Sequence, residues 1–93
     1  MMKYQGVTLK RISSEIGKEN GCVTVQRGQE QVLLNISASL VWSYIDGYMD
    51  ADSILNNIKQ LYQEDNSPEY ICSVVEDSIT LLLDEKLIER TGA

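Results

Sequence analysis

The chain changes its hydrophobic period once, at Leu34-Asn35, and that switch constrains the fold more than any other feature. Before it, apolar residues come in short β-branched runs parted by turn residues. After it, they recur every three or four positions. Val7-Thr8-Leu9-Lys10-Arg11-Ile12, Cys22-Val23-Thr24-Val25 and Gln31-Val32-Leu33-Leu34-Asn35 read as strands. Glu19-Asn20-Gly21 and Arg27-Gly28-Gln29-Glu30 read as turns, with Gly28 suited to positive φ. The last two strands, joined by a loop of about five residues, make a hairpin.

Three helices follow. Ser37 is the candidate N-cap of the first, Leu40, Val41, Tyr44 and Ile45 recur at helical spacing, and Asp46-Gly47 is its stop. Asp50 caps the second, whose apolar stripe is Ile54, Leu55, Ile58, Leu61 and Tyr62. Glu64-Asp65-Asn66 is a loop. Ser67-Pro68 opens the third helix with a cap and a proline at the first helical position. It runs through Ile71, Val75, Ile79 and Leu82 to the neighbourhood of Glu85, and Leu87-Ile88-Glu89-Arg90 is a short terminal extended piece. The expected fold is α+β: a three-stranded antiparallel sheet followed by three helices, similar to a winged helix-turn-helix. At 93 residues the chain forms one domain, residues 1–93, with one core. It has no Phe, so Leu, Ile and Val must supply most of that core.

Several chemistries are set aside by what the chain lacks. It has no histidine, the commonest general base and metal ligand near neutral pH. Cys22 and Cys72 stand far apart, in no CxxC pair, and read as buried thiols in a reducing compartment. Neither an enzyme nor a metal or other cofactor is expected. No run approaches the roughly 18 apolar residues of a membrane span, and Met1 to Gly6 lack the apolar stretch of a signal peptide. The expected location is the cytoplasm. Charge divides unevenly. Residues 1–36 hold five basic and three acidic side chains, whereas residues 37–93 hold three basic and eleven acidic. The acidic part would repel nucleic-acid phosphates and anionic lipid, so neither nucleic acid nor membrane is an expected partner. Most of those carboxylates are expected to form a solvated helical surface.

A small sheet leaves edges, and a free edge can accept an added strand. On the third helix, Ile71, Val75, Ser78, Ile79 and Leu82 share one face, the expected core. Tyr70, Val74, Asp77 and Leu81 share a second face, rotated by roughly 100°. A stripe of two aliphatic residues, a Tyr and an Asp suits the wall of a groove. Alternatively, Val74 and Leu81 simply widen the core stripe. Trp42 is expected in the core rather than as a stacking residue.

The order and spacing of several landmarks resemble the PqqD-like family, the precursor-peptide recognition elements of pathways that make and modify ribosomal peptides. Those landmarks are Leu34-Asn35, Val41-Trp42, Asp46-Gly47, Ile54 with Ile58, Tyr62, and the Leu82…Leu87-Ile88 ending. The resemblance covers roughly residues 22–90 and is weak before Gly21. It implies three strands packed on three helices. It also implies a leader peptide bound as an added strand along the third strand, in a groove against the third helix. Carried over, the peptide-binding residues are Gln31, Val32, Leu33 and Leu34 on the strand, with Tyr70, Val74, Asp77 and Leu81 on the helix. The implied partners are a precursor leader peptide and a maturation enzyme, a radical SAM protein or, in lasso-type pathways, a leader peptidase. Two rivals stand beside it. Many winged-helix DNA-binding regulators share the helical half, but a recognition helix should carry Lys or Arg. Asp52-Ser53-Ile54 is similar to the phosphopantetheine attachment site of acyl carrier proteins, but those are helical bundles without the strands read here.

Overall fold

The structure, a computed structural model, describes residues 2–91. Along the chain lie β1 (Thr8–Arg11), β2 (Ser14–Glu19), β3 (Cys22–Arg27), β4 (Glu30–Leu33), α1 (Ile36–Tyr44), α2 (Ala51–Tyr62), α3 (Pro68–Asp84) and β5 (Ile88–Thr91). Two tight turns fold β2, β3 and β4 into a three-stranded antiparallel sheet in that spatial order. Asn20 and Gly21 both take positive φ, which matches the right-handed twist of the hairpin they join. In the next turn Gly28 takes positive φ at the first of two central positions. The architecture is α+β, with three helices after the three-stranded sheet and a loose likeness to a winged helix.

One expected strand belongs elsewhere. The segment Val7–Ile12 does form β1, but β1 pairs antiparallel with β5 in a separate two-stranded sheet. The first strand of the three-stranded sheet is β2, a segment that carries no strand pattern in the sequence. All six residues of β2 are exposed, so none of its faces is buried and no apolar alternation marks it. Its pairing with β3 also slips at a bulge between Glu15 and Gly17.

Two cap assignments also move. The N-cap of α1 is Asn35, whose Oδ1 accepts from the Ala38 N–H at 2.8 Å, rather than Ser37, which lies inside the helix. The helix stops at Ile45, one residue before Asp46-Gly47. Asp46 instead shapes the following loop, its Oδ1 accepting from the N–H groups of Tyr48 and Met49, each at 2.8 Å. Asp50 and Ser67 cap α2 and α3 as expected. The α2 stripe buries Ile54, Leu55 and Ile58, but Leu61 and Tyr62 leave the core as the helix ends. The buried residues of α3 are Ile71, Val75, Ser78, Ile79 and Leu82.

The end of α3 redirects the chain into β5. The Leu87 N–H donates to the Leu82 carbonyl and the Lys86 N–H to the Leu83 carbonyl, both at 3.0 Å. These two bonds define a Schellman motif, and its left-handed position is held by Lys86 at φ 59° in place of the usual glycine. Leu87 and Ile88 then enter the core. The segment before β1 is anchored as well. Tyr4 is buried with its hydroxyl hydrogen-bonded to Thr80 Oγ1 on α3, the Lys3 N–H donates to the Glu76 carboxylate, and the Ala51 N–H donates to the Val7 carbonyl at 2.8 Å. Trp42 lies at the centre of the core, fully buried. Its Nε1–H donates to Glu15 at 3.0 Å, and the Arg11 guanidinium stacks on the ring at 4.3 Å. Cys22 and Cys72 are free and only partly buried, so the expectation of buried thiols is corrected. No helix among the described residues is long and apolar enough to cross a membrane.

Candidate functional site

The free edge of the three-stranded sheet follows from its register. Arg27 and Glu30 flank a two-residue turn and form the closing hydrogen-bonded pair of the hairpin. Pairs alternate along antiparallel strands, so Val25–Val32 is the next bonded pair and Val23–Leu34 the one after. The Leu34 N–H indeed donates to the Val23 carbonyl at 2.8 Å. The backbone groups of Gln31 and Leu33 therefore face away from β3, toward an edge with no partner strand among the described residues.

The side chains of the same strand divide the other way. Leu34 is buried and Val32 packs partly against the core, whereas Gln31 and Leu33 lie on the outer face, Leu33 at 71% exposure. None of these four side chains lines a depression on the α3 side. What Gln31 and Leu33 offer there is backbone.

Helix α3 supplies the opposite wall. Arg27 fixes the alignment by donating to the Glu85 carbonyl at 2.5 Å and to its carboxylate at 3.1 Å, while also pairing with Glu30 at 3.5 Å. The start of β4 is thus held near the C-terminus of α3. Beyond its other end, Asn35 lines one depression together with Ser37, Val74, Asp77, Ser78 and Leu81. Both ends of the β4 segment are thus tied toward the C-terminal half of α3, one through Arg27 and one through Asn35. A second depression, of about 270 Å³, continues from Ser37 and Val74 toward Tyr70, between α1, α2 and α3. Its walls include Ile36, Leu40, Tyr62 and Tyr70, and its volume suits a large apolar side chain.

Tyr70, Val74, Asp77 and Leu81 consequently share one open stripe. Tyr70 is 59% exposed and Leu81 37%, Val74 is partly buried, and Asp77 is exposed. The alternative that Val74 and Leu81 are core does not describe these positions, since the buried face of α3 is complete without them. Asn35, Ser37, Ile36, Leu40 and Tyr62 join the site, beyond the residues that the sequence predicts for it. Ile36 carried the one usable signal, an apolar residue directly after a helix cap, where it stands 65% exposed.

The rest of the surface is chemically sparse. Among the described residues, no three His, Cys, Asp or Glu side chains are grouped to hold a metal ion. Ser53 is exposed in the first turn of α2, where its N–H donates to the Asp50 cap at 2.8 Å. The Ser53 N–H, followed by its hydroxyl, holds the Asp50 carboxyl below its ordinary range. The N–H groups of Met49 and then Tyr48 do the same for Asp46. Compared with known proteins, the chain matches no family model, no curated protein and no solved structure.

Proposed function

We propose that this chain is a non-catalytic peptide-capturing module of the cytoplasm. It holds the unstructured leader of a ribosomally made precursor peptide and presents the remainder to a maturation enzyme, a radical SAM protein or a leader peptidase. One observation carries the reading: β4 has a free backbone edge, and α3, tied to the same hairpin through Arg27 and Glu85, has an open, largely apolar stripe. An extended peptide could satisfy the outward groups of Gln31 and Leu33 and set alternate side chains against that stripe. The resemblance of the sequence landmarks to the PqqD-like family supports the same partner. Capture needs no cofactor. It acts by raising the local concentration of substrate at the enzyme.

The test uses peptides encoded by short reading frames beside the gene for this chain. Each is synthesised and titrated calorimetrically against the full chain, and amide exchange is followed in parallel. A cognate leader should bind and should slow exchange at the Gln31 and Leu33 N–H groups. Binding that leaves those two amides unchanged would refute strand addition at β4.

A further inference from the structure

The groove also constrains the sequence it can hold, if the capture reading above is taken as its basis. Residues directly opposite each other in an antiparallel pair point to the same side of the sheet. Gln31 and Leu33 point outward, so the peptide residue opposite Val32 points inward, toward α3. The residues two positions before and after it do the same. Two strand residues advance about 6.7 Å, and four helical residues about 6 Å. Inward peptide side chains therefore keep step with α3, passing Leu81, then Asp77, then the depression at Val74 and Tyr70.

Leu81 and the Val74–Tyr70 depression are apolar. Asp77 is the single charged side chain lining either depression. It is exposed and makes no ion pair among the described residues, and α3 contains no Lys or Arg to neutralise it. Its neighbour Glu76 is already engaged by the Lys3 N–H. A peptide laid over Asp77 would strip water from a carboxylate, which is unfavourable unless a donor replaces that water. An acidic side chain there would add repulsion. We infer that the captured segment carries a Lys or Arg opposite Asp77, with apolar side chains two residues away on either side.

The experiment selects random linear displayed peptides on the immobilised full chain and, separately, on the Asp77→Lys variant. Asp77 is exposed, so the variant should melt like the wild type, and thermal melts check this. The wild type should enrich an apolar–x–Lys/Arg–x–apolar pattern, and the variant should enrich Asp or Glu at the central position. Peptides selected on the wild type should bind the variant about tenfold more weakly, with a gap that narrows as salt rises. Enriched peptides with no basic preference, or with equal affinity for both proteins, would overturn this inference and leave peptide capture standing. Enrichment of no peptide on either protein would overturn both. A wild-type dimer that Leu33→Lys converts to a monomer would assign the β4 edge to a second copy and overturn the inference as well.

Discussion

Leu81 and Leu82 are chemical twins with opposite surroundings. Leu81 is 37% exposed on the groove wall, while Leu82 is fully buried one position further round the helix. The change Leu81→Asp should leave the fold intact and weaken binding of a leader peptide by about 2 kcal/mol or more, the range of an interface hot spot. Leu82→Asp buries an unpaired charge instead. That costs on the order of 5 kcal/mol, comparable with the whole stability of a small domain. Thermal melts of the two variants, with calorimetric titration of the first, separate the roles. Equal melting temperatures for the pair would contradict the burial difference. Lys86 offers a gain rather than a loss. Its φ of 59° is a conformation that glycine adopts without steric cost. Lys86→Gly should raise stability by about 0.5–1 kcal/mol, read from urea unfolding.

Elements with a buried face were legible in the sequence, and those without one were not. The buried stripe of α3 is the one that helical periodicity predicts, because one side of the helix meets the core and the other meets water. Strand β2 has only exposed residues, so nothing in its pattern distinguishes it from a loop. The β1–β5 pairing joins the two ends of the chain, and no local signal encodes a contact over that separation. The helix half of the candidate site was visible as a second stripe. The α1 side was not, because Ile36, Ser37 and Leu40 become a wall only once α1 packs on α3. Caps were readable where the side chain and helix start coincide, as at Asp50. That cap also carries a pH signature. The Ser53 N–H and then its hydroxyl hold the folded pKa of Asp50 below its unfolded value. The associated stability is present above the unfolded pKa and is lost as pH falls through the folded one, so the window lies below about pH 4. Asp50→Asn keeps an acceptor but removes the charge. Its stability difference from wild type, measured by urea unfolding, should be largest near neutral pH and shrink toward pH 3. Asp50→Ala should cost about 1 kcal/mol at neutral pH, as loss of an N-cap does.

At the scale of the molecule, charge weighs differently on two uses of a winged-helix-like shape. Duplex DNA is bound mainly through its phosphates, and each Lys or Arg that meets one releases counterions. A recognition helix must therefore bring basic residues to the groove. Here α3 carries Glu69, Glu76, Asp77 and Asp84 with no Lys or Arg, α2 sets Lys59 against Asp52, and α1 is uncharged. Arg27, which reaches the C-terminal end of α3, is committed to Glu85 and Glu30, and Lys86 stands alone after the helix. The face that a winged-helix DNA binder would present is thus repulsive to phosphate, whereas an apolar or basic peptide would meet no such repulsion there. Fluorescence anisotropy with labelled duplex DNA should show no binding near about 0.15 M salt, where screening is already strong. Lower salt should not rescue it, because the long-range term is repulsive and grows as screening weakens. Salt-sensitive, sub-micromolar affinity for a duplex would contradict the charge argument and shift the assignment from peptide to nucleic acid. A chain that ignores DNA at every salt concentration and still protects the Gln31 and Leu33 amides when a peptide is added would be using this shape for its sheet edge.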